Sequence, residues 1–194
     1  MKSFIAFLGS PRKNGMTAQV MDKVIAGAKE DSAEVISYYL NDDSIRGCQG
    51  CRWCKTHEGC ILNDGIAGLY EQLKEADGII IGSPIYFMNI TSQTKKIMDR
   101  LYPVRKADGG SNLPGKKFVS VYTQGNPDKE MFRNIIDAND RVLKSFQWEM
   151  IDSILYYGTG NPDERVTEEV MRRAFEAGRK LAGRWASHVS ENNI

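Results

Sequence analysis

Apolar residues along the chain fall into short continuous runs and longer stretches at helical spacing. The runs predict strands, and the stretches predict helices, since an apolar residue at every third or fourth position forms one face of a helix. The predicted strands are 3–8, 34–40, 78–82, 117–123 and 150–157. The predicted helices are 16–29, 64–76, 91–101, 129–146 and 167–188, with Asp64 as the cap of the second. Strand and helix therefore alternate along the chain.

This alternation predicts an α/β fold. Strands joined by helix-length segments need crossover connections, which give a doubly wound, five-stranded parallel sheet with helices on both faces. No linker-like composition marks a boundary, so residues 1–194 are expected to form one domain with a cysteine-rich loop at 46–63. Ligands of such sheets bind beyond the carboxyl ends of the strands, which directs attention to the loops after Leu8, Gly82 and Thr123.

The first of these loops, GSPRKNGMT, joins a strand to a helix. A helix N-terminus at this point favours an anion, and the loop supplies hydroxyl, amide and guanidinium donors. The sequence is neither a Walker A loop nor G-x-G-x-x-G, and one compact donor-rich loop suits a terminal monophosphate better than a pyrophosphate. An ordinary turn with a polar cap is the alternative. The predicted ligand contacts are Ser10, Arg12, Asn14, Met16 and Thr17.

The second loop, GSPIYFMNITS, puts large apolar side chains where the sheet opens to solvent. A flat, mostly apolar ring system would explain them, with an amide at its polar rim. Core packing or a subunit contact is the alternative. A phosphate site and an aromatic slot on one sheet edge together describe flavin mononucleotide (FMN). The contacts predicted from this loop are Pro84, Ile85, Tyr86, Phe87, Met88 and Asn89.

Composition narrows the classes of function. Hydrophobic residues make up 41% and charged residues 26%, as in soluble globular proteins, and a net charge of +1 without a basic stripe argues against nucleic-acid binding. No apolar run is long enough to span a bilayer, so neither a membrane protein nor a secreted one is expected, and the predicted location is the cytoplasm. The chain has 2 histidines, both in ordinary polar contexts, which leaves a hydrolase triad without a base.

All 4 cysteines lie between residues 48 and 60, in the pattern C-x2-C-x2-C-x5-C. Cytoplasmic thiols stay reduced, so clustered cysteines indicate metal or cluster ligands before disulfides. Three thiolates at equal short spacing can wrap three corners of a cubane, and the fourth closes it. Zinc, a disulfide or thiols without metal are the alternatives. The predicted ligands are Cys48, Cys51, Cys54 and Cys60.

Several motifs, in this order, resemble the flavodoxin-like NADPH-dependent FMN reductase superfamily, in particular its iron-sulfur flavoprotein branch. The resemblance covers most of the chain up to Arg100. The matching segments are Gly9-Ser10-Pro11-Arg12-Lys13, the four cysteines, Ala76-Asp77-Gly78, Ser83-Pro84-Ile85-Tyr86 and Lys95-Lys96-Ile97-Met98-Asp99-Arg100.

The resemblance implies a five-stranded flavodoxin-type sheet that holds FMN by its first two loops. It further implies flavin contacts from Thr123 and Gly125, although this third loop departs from the glycine-rich version of the branch. A [4Fe-4S] cluster on the four cysteines and a homodimeric or homotetrameric assembly are also implied.

Two functions follow from these expectations, and a flavin-free structural or regulatory module that uses the cysteines for zinc is the alternative to both. The first is an FMN-dependent oxidoreductase that takes electrons from NAD(P)H or a reduced carrier and passes them to an acceptor, with the cluster as a possible outlet. The second is an electron carrier between ferredoxin-like partners, without a small-molecule substrate. In either case the cofactor supplies the reactivity, and no catalytic side chain is expected.

Overall fold

Our computed structural model describes residues 1–30, 32–160 and 165–183. The fold is built around a central parallel sheet. The strands are β1 (Ser3–Leu8), β2 (Glu34–Tyr39), β3 (Gly78–Tyr86), β4 (Asn89–Ile90), β5 (Lys117–Gln124) and β6 (Glu149–Tyr157). The helices are α1 (Met16–Lys29), α2 (Leu69–Glu75), α3 (Ser92–Arg100), α4 (Arg133–Lys144) and α5 (Glu168–Leu181). Short 3-10 turns occur at Trp53–Lys55 and Tyr102–Val104.

Five strands pair in parallel in the order β2-β1-β3-β5-β6, and the short β4 pairs antiparallel with β3. The predicted α/β fold, a doubly wound five-stranded parallel sheet, is confirmed. From β1 the chain passes to β2 on one side and then to β3 on the other, so the order of the strands reverses between β1 and β3. This reversal opens a crevice at the carboxyl edge of the sheet, where ligands of such folds bind.

Alternate residues of each strand enter two separate cores. Phe4 and Ala6 of β1 pack with α1 and α5 on one face of the sheet. Ile5 and Phe7 pack with α2, α3 and α4 on the opposite face. The central strand β3 is buried on both faces, which explains its continuous apolar run.

Helices α1 and α5 approach each other closely through glycine. A Cβ added to Gly178 would lie 2.0 Å from the backbone oxygen of Val24, and one added to Gly27 would lie 2.0 Å from that of Phe175. Only glycine allows this contact. The packing fixes α1, whose N-terminus lies at the carboxyl edge of the sheet.

Four element boundaries differ from the prediction by more than two residues. Helix α2 begins at Leu69 and α4 at Arg133, both later than predicted, because hydrogen-bonded turns precede them. Strand β3 continues to Tyr86, so residues 83–86 are strand and not loop. Helix α5 ends at Leu181, and residues 184–188 of the predicted last helix lie outside the described residues. None of the helices in the described ranges is long and apolar enough to cross a bilayer.

Candidate functional site

A cavity of about 550 Å³ lies at the carboxyl edge of the sheet, in the range usual for small-molecule sites. The loop after β1, the first turns of α1, the end of β3 and the ends of β5 and β6 all contribute to its wall. Its lining residues are Ser10, Arg12, Asn14, Gly15, Met16, Thr17, Gln19, Pro84, Ile85, Tyr86, Phe87, Thr123, Gly125 and Thr159.

The side of the cavity formed by the first loop is electropositive. The structure describes all of α1. Its capping residue, Gly15, makes no side-chain hydrogen bond, and its first turn has no acidic residue. The positive end of the helix dipole is therefore not neutralised by the helix itself. Arg12 is the one charged side chain among the described residues that line the cavity. The hydroxyl of Ser10 accepts a hydrogen bond from the Arg12 backbone N–H (3.1 Å), which holds the loop in a tight turn.

Strands β3 and β4 form a two-residue hairpin beside the cavity. Ile85 pairs with Ile90 and Tyr86 with Asn89, which leaves Phe87 and Met88 as the turn. Both turn residues have positive φ, 43° and 71°, a conformation that glycine or asparagine usually supplies. Phe87 is fully exposed and Tyr86 and Met88 are about half exposed. The hairpin thus holds an apolar, strained tip at the mouth of the cavity.

Buried hydroxyl groups form the floor and tie its loops together. The Oγ1 atoms of Thr17 and Thr123 lie 2.7 Å apart and join α1 to β5. The Thr91 hydroxyl donates to the Gly9 carbonyl oxygen (2.7 Å), and its backbone N–H donates to the Ser83 hydroxyl (3.1 Å). The loop after β1 is in this way fixed to the segment that follows β3.

The structure brings the residues predicted from three separate loops to this one cavity. All of them line it except Met88, which forms the hairpin tip, and Asn89, whose Oδ1 accepts a hydrogen bond from Ile90 N–H (2.8 Å). Their predicted flavin contacts stay predictions. Sequence reasoning missed Gly15, Gln19 and Thr159. The polar triplet Gly-Thr-Gly after β6, at the same sheet edge, was a signal for Thr159.

A second cavity, of about 240 Å³, contains the cysteines. All four of them line it, together with charged side chains that include Arg100 and with apolar side chains from residues 46–64 and from the turn after α3. Cys48 and Cys51 are exposed, Cys54 and Cys60 are partly buried, and all four are free thiols. Burial raises the pKa of the Cys54 thiol. The described lining residues of the two cavities do not overlap.

Residues 46–64, which we call the cysteine segment, are fixed to the rest of the fold at both ends. The buried Arg100 side chain, at the end of α3, forms an ion pair with the equally buried Asp64 at 2.5 Å. Arg100 also donates to the Arg46 carbonyl oxygen (2.9 Å), and the Arg46 N–H donates to Asp64 (3.0 Å). The prediction that Asp64 caps the second helix is wrong, because α2 begins only at Leu69 and Asp64 binds Arg100.

These contacts determine the charge states at the base of the segment. Burial by itself raises the pKa of Asp64, but hydrogen bonds from Arg100 and from the Arg46 and Ile66 N–H groups bring it below its ordinary value. Burial lowers the pKa of Arg100, whereas Asp64 and the nearby sulfur of Cys60 raise it, and the net change is a rise. Both groups therefore stay charged at neutral pH.

The middle of the segment is held by aromatic and cationic contacts. Trp53 stacks on His57 with ring centroids 3.5 Å apart. The Lys55 ammonium lies 3.6 Å from the centroid of the Tyr102 ring and donates to the Tyr102 and Arg105 carbonyl oxygens. Within the described ranges no three cysteine, histidine or acidic side chains are close enough to hold a single metal ion as they lie.

Comparison with known proteins agrees with this geometry. A model of the NADPH-dependent FMN reductase family matches residues 3–131. An iron-sulfur flavoprotein of Archaeoglobus fulgidus is 27% identical over 178 residues, or 92% of this chain and 78% of that protein. An iron-sulfur flavoprotein of Methanosarcina thermophila is 30% identical over 181 residues, or 89% of this chain and 90% of that protein. The solved structure of an NAD(P)H:quinone oxidoreductase from Methanothermobacter marburgensis shares the fold, with a TM-score of 0.74 and 18% identity over 95% of this chain and 98% of the other.

Proposed function

The chain belongs to the NADPH-dependent FMN reductase family, a family of NAD(P)H-dependent oxidoreductases, and on that premise we propose that the larger cavity holds its FMN. The observation that carries this proposal is the meeting of three loops, from distant parts of the sequence, around one space of about 550 Å³. That space has an electropositive side at the α1 N-terminus and an apolar side at the β3–β4 hairpin.

The first loop suits the phosphate group. Arg12 supplies the positive charge, Ser10 and Thr17 supply hydroxyl donors, and the first N–H groups of α1 supply donors that the helix does not use. A phosphate at this point would neutralise both Arg12 and the helix dipole. Asn14 adds an amide that can donate to the same group.

The hairpin suits the ring system. Pro84, Ile85, Tyr86 and Phe87 line the cavity, and Tyr86 and Phe87 are exposed. Aromatic faces of this size gain substantial free energy when a planar ligand covers them. Thr123, which pairs with Pro84 in the sheet, and the nearby Gly125 and Thr159 offer small polar groups to the rim of the ring.

Bound FMN accepts a hydride from a nicotinamide and can return electrons singly or in pairs, so it supplies the reactivity of the site. The protein residues have to bind, orient and shield it. The buried Thr17–Thr123 contact fixes the floor of the cavity, and Thr91 fixes the loop after β1 to the segment after β3. No side chain in this arrangement needs to accept or donate a proton during the reaction.

We further propose that the smaller cavity holds a [4Fe-4S] cluster. All four cysteines line one space, and thiolates of a cubane bind four different corners, so they lie farther apart than ligands of one ion. Apolar side chains form part of the lining, and an apolar shell influences the potential of a redox centre. The names of the relatives support this reading, as both are iron-sulfur flavoproteins. Such a cluster passes electrons one at a time.

Anaerobic purification tests both cofactors. We expect flavin in the purified protein, and we expect apoprotein to bind FMN far more tightly than riboflavin, because riboflavin lacks the phosphate. Analysis of iron and sulfide after anaerobic reconstitution tests the cluster. Protein that binds neither FMN nor riboflavin contradicts the flavin site, and protein that holds zinc or no metal contradicts the cluster.

A second candidate function is electron transfer between ferredoxin-like partners. The observation in its favour is the exposure of Cys48 and Cys51, which would leave a cluster within reach of another protein. Stopped-flow reduction by NADPH and by reduced ferredoxin separates the two functions. Rapid reduction by NADPH supports the oxidoreductase, and reduction by ferredoxin alone supports the carrier. Cytoplasmic location and a homodimer or homotetramer stay predictions.

A further inference from the structure

The buried ion pair between Arg100 and Asp64 has the geometry of a clamp on the cysteine segment. Asp64 follows the last cysteine and Arg46 precedes the first. Arg100 binds the carboxylate of Asp64 with both terminal nitrogens (2.5 and 3.2 Å) and the Arg46 carbonyl oxygen at 2.9 Å. One guanidinium therefore joins the two ends of the segment to the end of α3.

The third nitrogen of this guanidinium, Nε, takes no part in these contacts. Among the described residues, no acceptor in hydrogen-bond geometry is found for the buried Nε of Arg100. A buried N–H without an acceptor is costly. The sulfur of Cys60 is nevertheless close enough to interact with this guanidinium, and both residues line the cysteine cavity.

We propose that Arg100 is the positioning residue of the cysteine site, holding both ends of the segment and donating its Nε–H to the sulfur of Cys60 when the site is loaded. This inference rests on the proposed cluster. Hydrogen bonds to ligand sulfurs are among the factors that determine the reduction potential of a cluster.

Arg100 does not act on the cysteine site through a net positive charge, since Asp64 already neutralises its guanidinium. The contribution is directional, because the planar guanidinium can bind a carboxylate and a carbonyl oxygen and still direct one N–H elsewhere. Lysine in its place keeps the positive charge but cannot make all of these contacts. The pair Arg100→Lys and Arg100→Gln therefore separates geometry from charge.

The chain offers a matched control. Arg173 binds the Asp152 carboxylate with two nitrogens (3.0 and 2.6 Å) and also a backbone carbonyl oxygen, that of Ser153 (3.0 Å). Like Arg100, Arg173 joins a carboxylate and a carbonyl oxygen, but it does so at a half-exposed position and does not line the cysteine cavity. Arg173→Lys and Arg173→Gln thus remove the same number of hydrogen bonds away from the cysteine cavity, and the double variant described below controls for the burial of Arg100.

The experiment is anaerobic reconstitution with ferrous iron and sulfide, followed by removal of iron with a chelator and by measurement of the reduction potential. For Arg100→Gln and Arg100→Lys we expect iron to be lost at roughly ten- to hundred-fold lower chelator concentration, as for other residues that support metal ligands. The cluster that assembles is expected to have a more negative potential, because one N–H···S hydrogen bond is lost. The Arg173 variants are expected to match wild type.

Folding is controlled in two ways. FMN content reports the folded state from the other cavity, and the double variant Arg100→Gln/Asp64→Asn removes both charges without leaving one unpaired. Hydrogen exchange in the protein without iron gives a readout independent of the cluster. We expect faster exchange of residues 46–64 in the Arg100 variants and no change there in the Arg173 variants.

Three outcomes overturn the inference. Arg100 variants with wild-type iron retention and potential show that Arg100 does not position the site. A lower iron content with an unchanged potential shows that Arg100 holds the segment but does not donate to Cys60. Wild-type protein that takes up no iron contradicts the proposed cluster itself, and that result is distinct from the other two because the variants play no part in it.

Discussion

The hydroxyl groups of Thr17 and Thr123 lie 2.7 Å apart, although 106 residues separate them along the chain. Thr17 is in the first turn of α1 and Thr123 is near the end of β5, and both are almost fully buried. One hydroxyl must donate to the other. The contact joins α1, whose N-terminus faces the proposed phosphate, to strand β5, so the shape of the site depends on it.

This contact predicts coupled effects of substitution. Thr17→Val and Thr123→Val each leave the other hydroxyl buried without a partner, and each is expected to lower the free energy of unfolding by about 1–3 kcal/mol. The double variant is expected to lose less than the sum, with a coupling energy of about 0.5–3 kcal/mol. Urea unfolding of FMN-free wild type, of the two single variants and of the double variant measures these losses. Additive losses would show that the two hydroxyls do not stabilise each other.

Arg12 predicts selectivity for the phosphorylated flavin. Arg12→Ala is expected to weaken FMN binding by about ten- to hundred-fold, the usual value of a charged hydrogen bond, and to leave riboflavin binding almost unchanged. Fluorescence titration with both flavins measures this. Lys13→Ala is the control, because Lys13 is on the same loop but lies over the Tyr39 ring and does not line the cavity. Equal weakening of both flavins by Arg12→Ala would place the phosphate elsewhere.

The flavin cavity was largely predictable from the sequence because its residues lie at the ends of strands. A parallel sheet brings the carboxyl ends of its strands to one edge, so the loops after Leu8 and Thr123 had to converge once the alternation of elements was recognised. The hairpin was less predictable. The segment at residues 83–86 looked like a loop, since a two-residue turn through Phe87 and Met88 contradicts the usual preference for glycine or asparagine.

The support of the cysteine segment was not predictable in the same way. Arg100 and Asp64 are 36 residues apart, on a helix and in a loop, and no periodicity links them. The local pattern favoured a helix cap for Asp64, because an acidic residue before an apolar helix usually has that role. Tertiary contact with Arg100 overrode this preference. Burial of a charged pair is a property of the packed fold and has no local signature.

The strain at Met88 predicts a stabilising substitution. The left-handed conformation costs about 1–2 kcal/mol for a residue other than glycine, so glycine at this position removes that cost. Part of the gain in stability is lost again, because glycine also increases the conformational entropy of the unfolded chain. Met88→Gly is therefore expected to raise the melting temperature by about 2 °C. Met88→Ala is the control, since it removes the exposed side chain and keeps the strain. Equal melting temperatures for the two variants would show that the backbone at Met88 is not strained.

The lowered pKa of Asp64 predicts acid sensitivity. A carboxyl group with a lower pKa in the folded state stabilises the protein above its unfolded pKa, about 3.9, and loses that contribution as the pH falls through the folded value. At pH 7, Asp64→Asn leaves Arg100 buried without its counter-ion, and we expect a loss of about 3–5 kcal/mol. The difference from wild type should narrow below about pH 4. Urea unfolding from pH 7 to pH 3 measures it, and a constant difference would contradict the role of the ionised carboxylate.

The close contact at Gly178 predicts that replacing this glycine by alanine destabilises the protein. Glycine to alanine in a helix normally stabilises a protein by about 0.5–1 kcal/mol. Here the new Cβ would lie 2.0 Å from the Val24 oxygen and 2.7 Å from the Ala28 nitrogen, which are backbone atoms and cannot rotate away. Helix α1 must move, so Gly178→Ala is expected to destabilise the protein by about 1–3 kcal/mol. Because α1 carries Thr17 and its N-terminus faces the proposed phosphate, FMN binding should weaken as well.

Gly68→Ala is the control, since its Cβ would meet no atom within 4 Å. Calorimetry and FMN titration of both variants would test this, and a Gly178→Ala protein as stable as wild type would mean that the two helices do not touch through glycine.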